Sequence, residues 1–418
     1  MTEGLRQAGP IWLDVTRLVG RVGRGVLTGI DRVELAYLEH LLDIDDDGAR
    51  YLLRSTRGYL VLDREGGALL SAFLRGKTPL PARGDLLSRA YGKGSDPRHR
   101  VESALRRVAR DRCLPGGLWR AIRRQGGAGF TYLNTGHSNL SEATLRAMGT
   151  APGVRIAVLI HDLIPITHPE LAQVGMPERF AGRIERVARH ADLVICNSAA
   201  TADDLSRHWA GQAGAPPRLV AHLGVDPPGD IPSDEGRRPD RFVMLGTIEP
   251  RKNHALMLDV WERLAETLPP ERMPDLHIIG PEGWRVEALM ARLRAHPLTG
   301  RAIHLHGPLP EAEVRAHLER ATALLFPSLA EGYGYPPLEA LAAGALPICS
   351  DLPVFRETLG ESAVYLKVND PYPWAIMIEQ HILGMARLPR PSAPPVPGWA
   401  AHFDKVGAAL SRHRAEGP

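Results

Sequence analysis

Cysteine is scarce in this chain, with three residues among 418: Cys113, Cys196 and Cys349. They are odd in number and far apart, and the last two sit inside apolar runs (Leu193-Val194-Ile195-Cys196 and Pro347-Ile348-Cys349). They read as thiols of a reducing compartment, which excludes a disulfide framework or a cysteine zinc site. Aromatic residues make up only 6%, too few for a groove that stacks bases along its length. No charge sign dominates. Lys+Arg 51 against Asp+Glu 48 leaves a net +3, too balanced for a dedicated nucleic-acid binder. Long apolar runs are missing too, and the opening MTEGLRQAGP has no basic region leading into an apolar core. A cytoplasmic protein is expected, held at a membrane, if at all, only peripherally on the cytoplasmic face. Lysine itself is rare (Lys77, Lys93, Lys252, Lys367 and Lys405), so a lysine inside a motif stands out.

What the chain does have is a soluble globular balance, 44% hydrophobic and 24% charged, which excludes disorder. Its length favours two domains. Short apolar runs alternate with helical patterns, the signature of parallel α/β layers. Strands are expected at 11–14, 59–62, 130–133, 155–160, 193–196 and 219–223, then, beyond a Pro/Gly/Asp-rich break, at 242–245, 275–279, 303–306, 322–326, 346–348 and 364–366. The expected division is a first α/β domain over 1–224, a linker over 225–240, a second α/β domain over 241–390, and a Pro-rich loop with a terminal helix over 391–418. In that helix Trp399, Phe403, Val406 and Leu410 recur at helical spacing, and docking back on the first domain is the arrangement expected for it.

Residues 83–124 concentrate positive charge, with eleven arginines and Lys93 against Asp85, Asp96, Glu102 and Asp111, a local +8. Within them Val101, Ala104, Leu105 and Val108 form a helical stripe, with Arg106, Arg107 and Arg110 off it. Two readings stand: an ordinary surface helix docked on its own domain, or a surface for anionic lipid or a polyanionic acceptor.

The most informative stretch is PSLAEGYGYPPLEALAAGALPICS, from Pro327 to Ser350. It leads from an apolar strand into a helix opened by Pro336 and Pro337, positions where a missing N–H costs nothing. Glu331 and the loop Gly332-Tyr333-Gly334-Tyr335 are thereby brought to a helix N-terminus, where free N–H groups and the helix dipole favour an anion such as a diphosphate. Glu339, a turn further on, is placed to take the hydroxyls of a ribose. Arg251 and Lys252 follow the strand at 242–245 and a loop that starts at Gly246; two adjacent cations at a strand's carboxyl end suit a diphosphate, though a surface charge pair has the same sequence. His161-Asp162 follows the strand at 155–160, and His137 the strand at 130–133. Each has a bland reading as a satisfied structural hydrogen bond, and Asp162 as either an orienter of His161 or a cap on the next segment. Thr28 with Asp31 has the form of a capping box. The acidic run from Asp43 to Asp47 fails as a calcium loop because its twelfth position is Arg54. It reads as a helix-ending turn, and no metal site is expected.

Glu331-x7-Glu339, with Pro327-Ser328 before it and Ser350-Asp-Leu-Pro beyond, resembles the donor site of the glycosyltransferase family 4 enzymes. The resemblance extends to the run Gly246 to His254, to Ile279-Gly-Pro-Glu-Gly-Trp284, to His306-Gly-Pro and, in the first half, to Thr28-Gly-Ile-Asp-Arg32, His161-Asp-Leu-Ile-Pro165 and Asn197-Ser-x2-Thr201. It implies a GT-B fold of two Rossmann-like domains facing across a cleft, and a retaining, metal-independent enzyme that needs no cofactor. The donor would be a nucleotide-diphosphate hexose, of the mannose type, and the acceptor a glycan or lipid-linked sugar in cell-surface polysaccharide synthesis. His161, Glu331, Arg251 and Lys252 become the expected catalytic residues. Gly29, Gly246, Gly332, Tyr333, Gly334, Tyr335 and Glu339 join them around the donor, with His137 and Asp162 on the acceptor side. Where the family commonly has a paired-glycine loop near the N-terminus, this chain has the scattered Gly20, Gly23, Gly25 and Gly29. Two rivals remain, a nucleotide-sugar epimerase of the same fold and a catalytically silent sugar-nucleotide-binding scaffold.

Overall fold

A computed structural model describes residues 4–44, 48–85, 95–225, 236–389 and 397–415. Two sheets organise the chain. The first contains β1 (Ile11–Asp14), β2 (Arg50–Ser55), β3 (Gly58–Leu62), β4 (Asp111–Cys113), β5 (Thr131–Asn134), β6 (Arg155–Ile160), β7 (Leu193–Cys196) and β8 (Arg218–Val220), in the order β4-β3-β2-β1-β5-β6-β7-β8. It is parallel from β2 to β8, and β3 and β4 add an antiparallel edge. The second is wholly parallel and contains β9 (Arg238–Leu245), β10 (Asp275–Ile279), β11 (Ile303–His306), β12 (Ala321–Phe326), β13 (Leu346–Ser350) and β14 (Val364–Leu366), in the order β11-β10-β9-β12-β13-β14. Helices cover both faces, so strands such as β7 and β13 are buried at every residue.

Two strands, β2 and β4, were not anticipated from the sequence, and β9 begins at Arg238, inside the expected linker. The eighth strand is shorter than expected, 218–220. Most of the stretch read as linker (226–235) and most of the Pro-rich loop (390–396) lie outside the described residues, as do Asp45, Asp46 and Asp47 of the acidic run, whose Asp43 ends helix Gly29–Asp43.

In an open parallel sheet the ligand site lies at the strands' carboxyl ends, where the winding reverses. Here those reversals fall between β1 and β5 in one sheet and between β9 and β12 in the other. Both carboxyl ends face one cleft of about 1990 Å³.

The terminal helix Trp399–Ala415 docks on the first domain. Phe403 stacks on His40 with centroids 3.9 Å apart and meets Tyr37 edge-on. The Tyr37 hydroxyl and His402 Nε2 share a hydrogen bond of 2.7 Å, and the Gly4 N–H donates to Asp404. Gly407 lies so close to the Gly4 carbonyl that a Cβ would stand 2.0 Å from it. The chain passes between domains twice, after Val225 and before Pro397, and the Val225 N–H donates to the Pro397 carbonyl at 2.9 Å.

Of the basic segment, residues 86–94, with Arg89 and Lys93, lie outside the described residues; helix Pro97–Val108 is docked rather than free. Asp96 caps helix Pro97–Val108 through the Arg98 N–H, and Val101, Ala104 and Leu105 are buried while Val108 is only half-buried. Arg106, off the apolar stripe, pairs with Asp85; Arg98 pairs with Glu102 and Arg124 with Asp111.

Phe403 is 3% exposed, and removing a buried phenylalanine costs about 3–5 kcal/mol. Phe403→Ala is expected to lower unfolding free energy by that amount in urea titrations; a loss below about 1 kcal/mol would show that the terminal helix is not docked in solution.

Candidate active site

All thirteen residues singled out from the sequence line the one cleft: Gly29, His137, His161, Asp162, Gly246, Arg251, Lys252, Glu331, Gly332, Tyr333, Gly334, Tyr335 and Glu339. Strands β9 and β12, neighbours at the second sheet's reversal, deliver the charged core of the site. After β9, Gly246 turns at φ 135°, with Lys252 Cε 3.3 Å from where its Cβ would be. After β12, the loop ends at Gly334, whose φ of 89° sets up helix Tyr335–Ala342 with Pro336 in its first turn.

Arg251 and Lys252 do not stand as an open clamp for a diphosphate. Both converge on Glu331, each 2.5 Å from the same oxygen, Oε1. Arg251 also binds Glu249 at 2.6 Å and the Ala330 carbonyl, and the Lys252 ammonium lies over the Phe326 ring, 4.2 Å from its centroid. The Glu331 side chain is 8% exposed. Burial alone would raise its pKa, but the two cations outweigh burial and hold it at about 2. For Lys252 burial wins over the carboxylate and draws the ammonium down to about 8. Arg251, with Glu331 and Glu249 beside it, keeps its charge despite burial.

Glu339, the expected ribose partner, pairs with Arg32 of the first domain, and Arg32 also reaches Glu311 at 3.4 Å and lies over the Tyr335 ring. Gly29 meets the same ring, where a Cβ would stand 3.4 Å from it. Thr28 and Asp31 form the expected box, the Thr28 N–H and hydroxyl both donating to Asp31 Oδ2.

His161 Nε2 lies 2.7 Å from the Thr135 carbonyl, and burial draws its pKa down to about 4, so it is a neutral imidazole. His137 is similarly tied to the Leu159 carbonyl, with its pKa lowered by burial. Of the two roles left open for Asp162 the structure contains the cap: Oδ1 accepts the Ile164 N–H at 3.0 Å, and burial raises its pKa.

The domains touch at the cleft's floor. The Ser198 hydroxyl donates to the Gly332 carbonyl at 2.8 Å, the Tyr333 hydroxyl to the Leu223 carbonyl, and Glu357 accepts the Ala199 N–H and binds His222, both at 2.6 Å. Gly332 approaches His161 so closely that a Cβ would lie 2.1 Å from its carbonyl oxygen. On the far side Trp284 and Arg285 donate to the Leu171 and Glu170 carbonyls.

Sequence reasoning missed Arg17, Arg32, Glu34 and Arg183. Arg17 pairs with Asp31 at 2.8 Å and stands 3.6 Å from Glu34, a fully buried carboxyl whose pKa burial pushes well up. Arg183 lines the cleft with Arg186, and burial and these like charges together depress its pKa. Arg32 lay inside a quoted motif; the others carry no local signal.

Residues 239–382 match the family described as Glycosyl transferases group 1. Among solved structures, the Anabaena Alr3699/HepE complex with UDP-glucose is similar over 97% of this chain and 98% of its own, with TM-score 0.59 at 14% identity. The sucrose-phosphate synthase from Thermosynechococcus elongatus is similar over 96% and 94%, with TM-score 0.58 at 15% identity. The fold is GT-B. Among curated proteins, the serotype-specific mannosyltransferase WbdA of Escherichia coli is 31% identical over 249 residues, 55% of this chain and 30% of WbdA. The D-inositol 3-phosphate glycosyltransferase of Streptomyces bingchenggensis is 29% identical over 240 residues, 52% of this chain and 51% of that protein. The chain thus spans about a third to a half of the length of these relatives.

Glu331 binds its two cations at a pKa of about 2, against 4.5 for a free side chain. Its contribution to stability is therefore complete above pH 4.5 and lost as pH falls toward 2. Glu331→Gln leaves the buried Lys252 ammonium with a neutral partner and Arg251 with Glu249 alone, and is expected to cost about 3–5 kcal/mol at pH 7, and less near pH 2; equal stability of the two proteins at pH 7 would refute the buried triad.

Proposed function

We propose that this protein is a retaining, metal-independent glycosyltransferase that moves a hexose from a nucleotide-diphosphate sugar to a glycan or lipid-linked acceptor. The observation that carries this reading is the placement of Arg251, Lys252 and Glu331 beside the N-terminus of helix Tyr335–Ala342, at the reversal of the second sheet and facing the first domain. A donor diphosphate takes the two cations and the free N–H groups of that helix; Glu331, released from part of its pairing, turns to sugar hydroxyls. Glu339 exchanges Arg32 for the ribose. The names of the mannosyltransferase relatives favour a mannose-type donor.

The chemistry follows from charge. As the sugar–phosphate bond breaks, the leaving phosphate gains negative charge, so fixed cations bind the transition state more tightly than the ground state. In the retaining mechanism the departing phosphate takes the acceptor's proton on its own face, and the protein's task is positioning. Neutral His161 borders the place where the sugar would lie, as a polar wall rather than a proton carrier. On the acceptor side Arg17, Arg183 and Arg186 line the cleft, a wall suited to a phosphate-bearing acceptor.

Among the described residues no helix is long and apolar enough to cross a membrane. The surface that faces a membrane in this reading is the stretch from β4 through helix Leu118–Gln125, where exposed Leu114 and Trp119 stand among the exposed Arg112, Arg120 and Arg123.

A thermal-shift screen of nucleotide sugars, followed by transfer assays, tests the activity; donor turnover without acceptor would identify an epimerase instead. Lys252→Ala should lower kcat at saturating donor by roughly ten- to a hundredfold, the effect of losing a charged hydrogen bond in the transition state. A kcat within about twofold of the parent would remove Lys252 from the phosphate site. Free-nucleotide affinity should also decline above pH 8 in the parent protein but not in Lys252→Ala, because the ammonium is charged below its pKa of about 8 and neutral above it.

A further inference from the structure

On one face of the second sheet, outside the triad, four imidazoles gather. His277 of β10 is the lateral neighbour of His304 on β11, and His306 follows two residues later on the same face. Helix Glu311–Arg320 places His317 over them, with ring centroids 5.2 Å from His277 and 4.8 Å from His306. His277 Nδ1 and His306 Nε2 share a hydrogen bond of 2.9 Å. His277 is 6% exposed, and its Nε2 is buried with no hydrogen-bond partner, as is His317 Nδ1. An orphaned buried imidazole nitrogen costs about 1–3 kcal/mol, so two in one cluster call for an explanation.

We propose that His277, His306 and His317 form a binding site for a divalent transition-metal ion of the zinc class. Each offers one nitrogen, and the three nitrogens lie within 4.8 Å of one another. A tetrahedral zinc ion with bonds of about 2.0–2.1 Å holds its ligand nitrogens roughly 3.4 Å apart, so small rotations of the rings complete the site. An all-imidazole set selects zinc, cobalt, nickel or copper over magnesium and calcium, which take oxygen ligands. His304, hydrogen-bonded to Asp275 Oδ1 at 3.1 Å, flanks the site. Arg241 and Arg320 are the nearby cations that oppose an ion here. None of the three histidines lines the cleft, but bound metal ties β11 to the helix whose first residue, Glu311, reaches Arg32 across the cleft. Its role is then to stiffen the β11–helix connection, Pro308 to Pro310, that lines the cleft.

Titration of the metal-free full chain with zinc by calorimetry, and with cobalt by visible absorption, tests this without reference to activity. One equivalent should bind at micromolar affinity or better, with the intense absorption of tetrahedral cobalt. His306→Gln and His317→Gln should each weaken binding at least tenfold, and His168→Gln, at a half-buried histidine of the first domain, should change nothing. Circular dichroism of each variant verifies that it is folded. Binding weaker than millimolar, or binding unaltered by His317→Gln in a folded protein, would overturn the proposal, as would loss only on His304→Gln.

Discussion

One carboxylate ties together the two loops at the reversal of the second sheet. Glu331 leaves β12, Arg251 and Lys252 leave β9, and the three meet over the seam between those strands. Opposite charges in a largely buried place are tolerated only when each finds its partner, so the loops must adopt this arrangement once the strands pair. Two features flank this contact: the turn at Gly246, which admits the lysine stem, and the loop from Glu331 to the left-handed Gly334, which opens the helix at Tyr335. Two cations are thereby held close together with neither left unpaired.

Much of this was legible in the sequence because strand ends and glycine- or proline-marked turns are local. Runs such as Arg155–Ile160 and Asp275–Ile279 are apolar and bounded by turn residues. The edge strand Asp111–Cys113 has the sequence DRC and no apolar pattern, since it is held by backbone pairing with β3. β2 was hidden for another reason: the arginines at 50 and 54 interrupt its apolar run. The candidate site residues were found because motif and strand end coincide. Their partners were not, because pairing depends on the third dimension: Glu339 meets Arg32 across 307 positions, and Ser198 meets Gly332 across 134. The sequence also made Glu331 and the two cations separate binders, whereas folding makes them one unit.

The histidines of the second sheet show the same limit. In sequence, His277, His304, His306 and His317 are scattered over forty positions and belong to no metal-ligand spacing; the parallel register of β10 and β11 and one helix crossing bring them together.

Gly332 sits against the first domain with no room to spare: a Cβ there would lie 2.1 Å from the His161 carbonyl oxygen, while its own carbonyl takes the Ser198 hydroxyl. Backbone thus meets backbone at this seam, and a residue of any size at position 332 would act as a wedge between the two sheets' carboxyl ends.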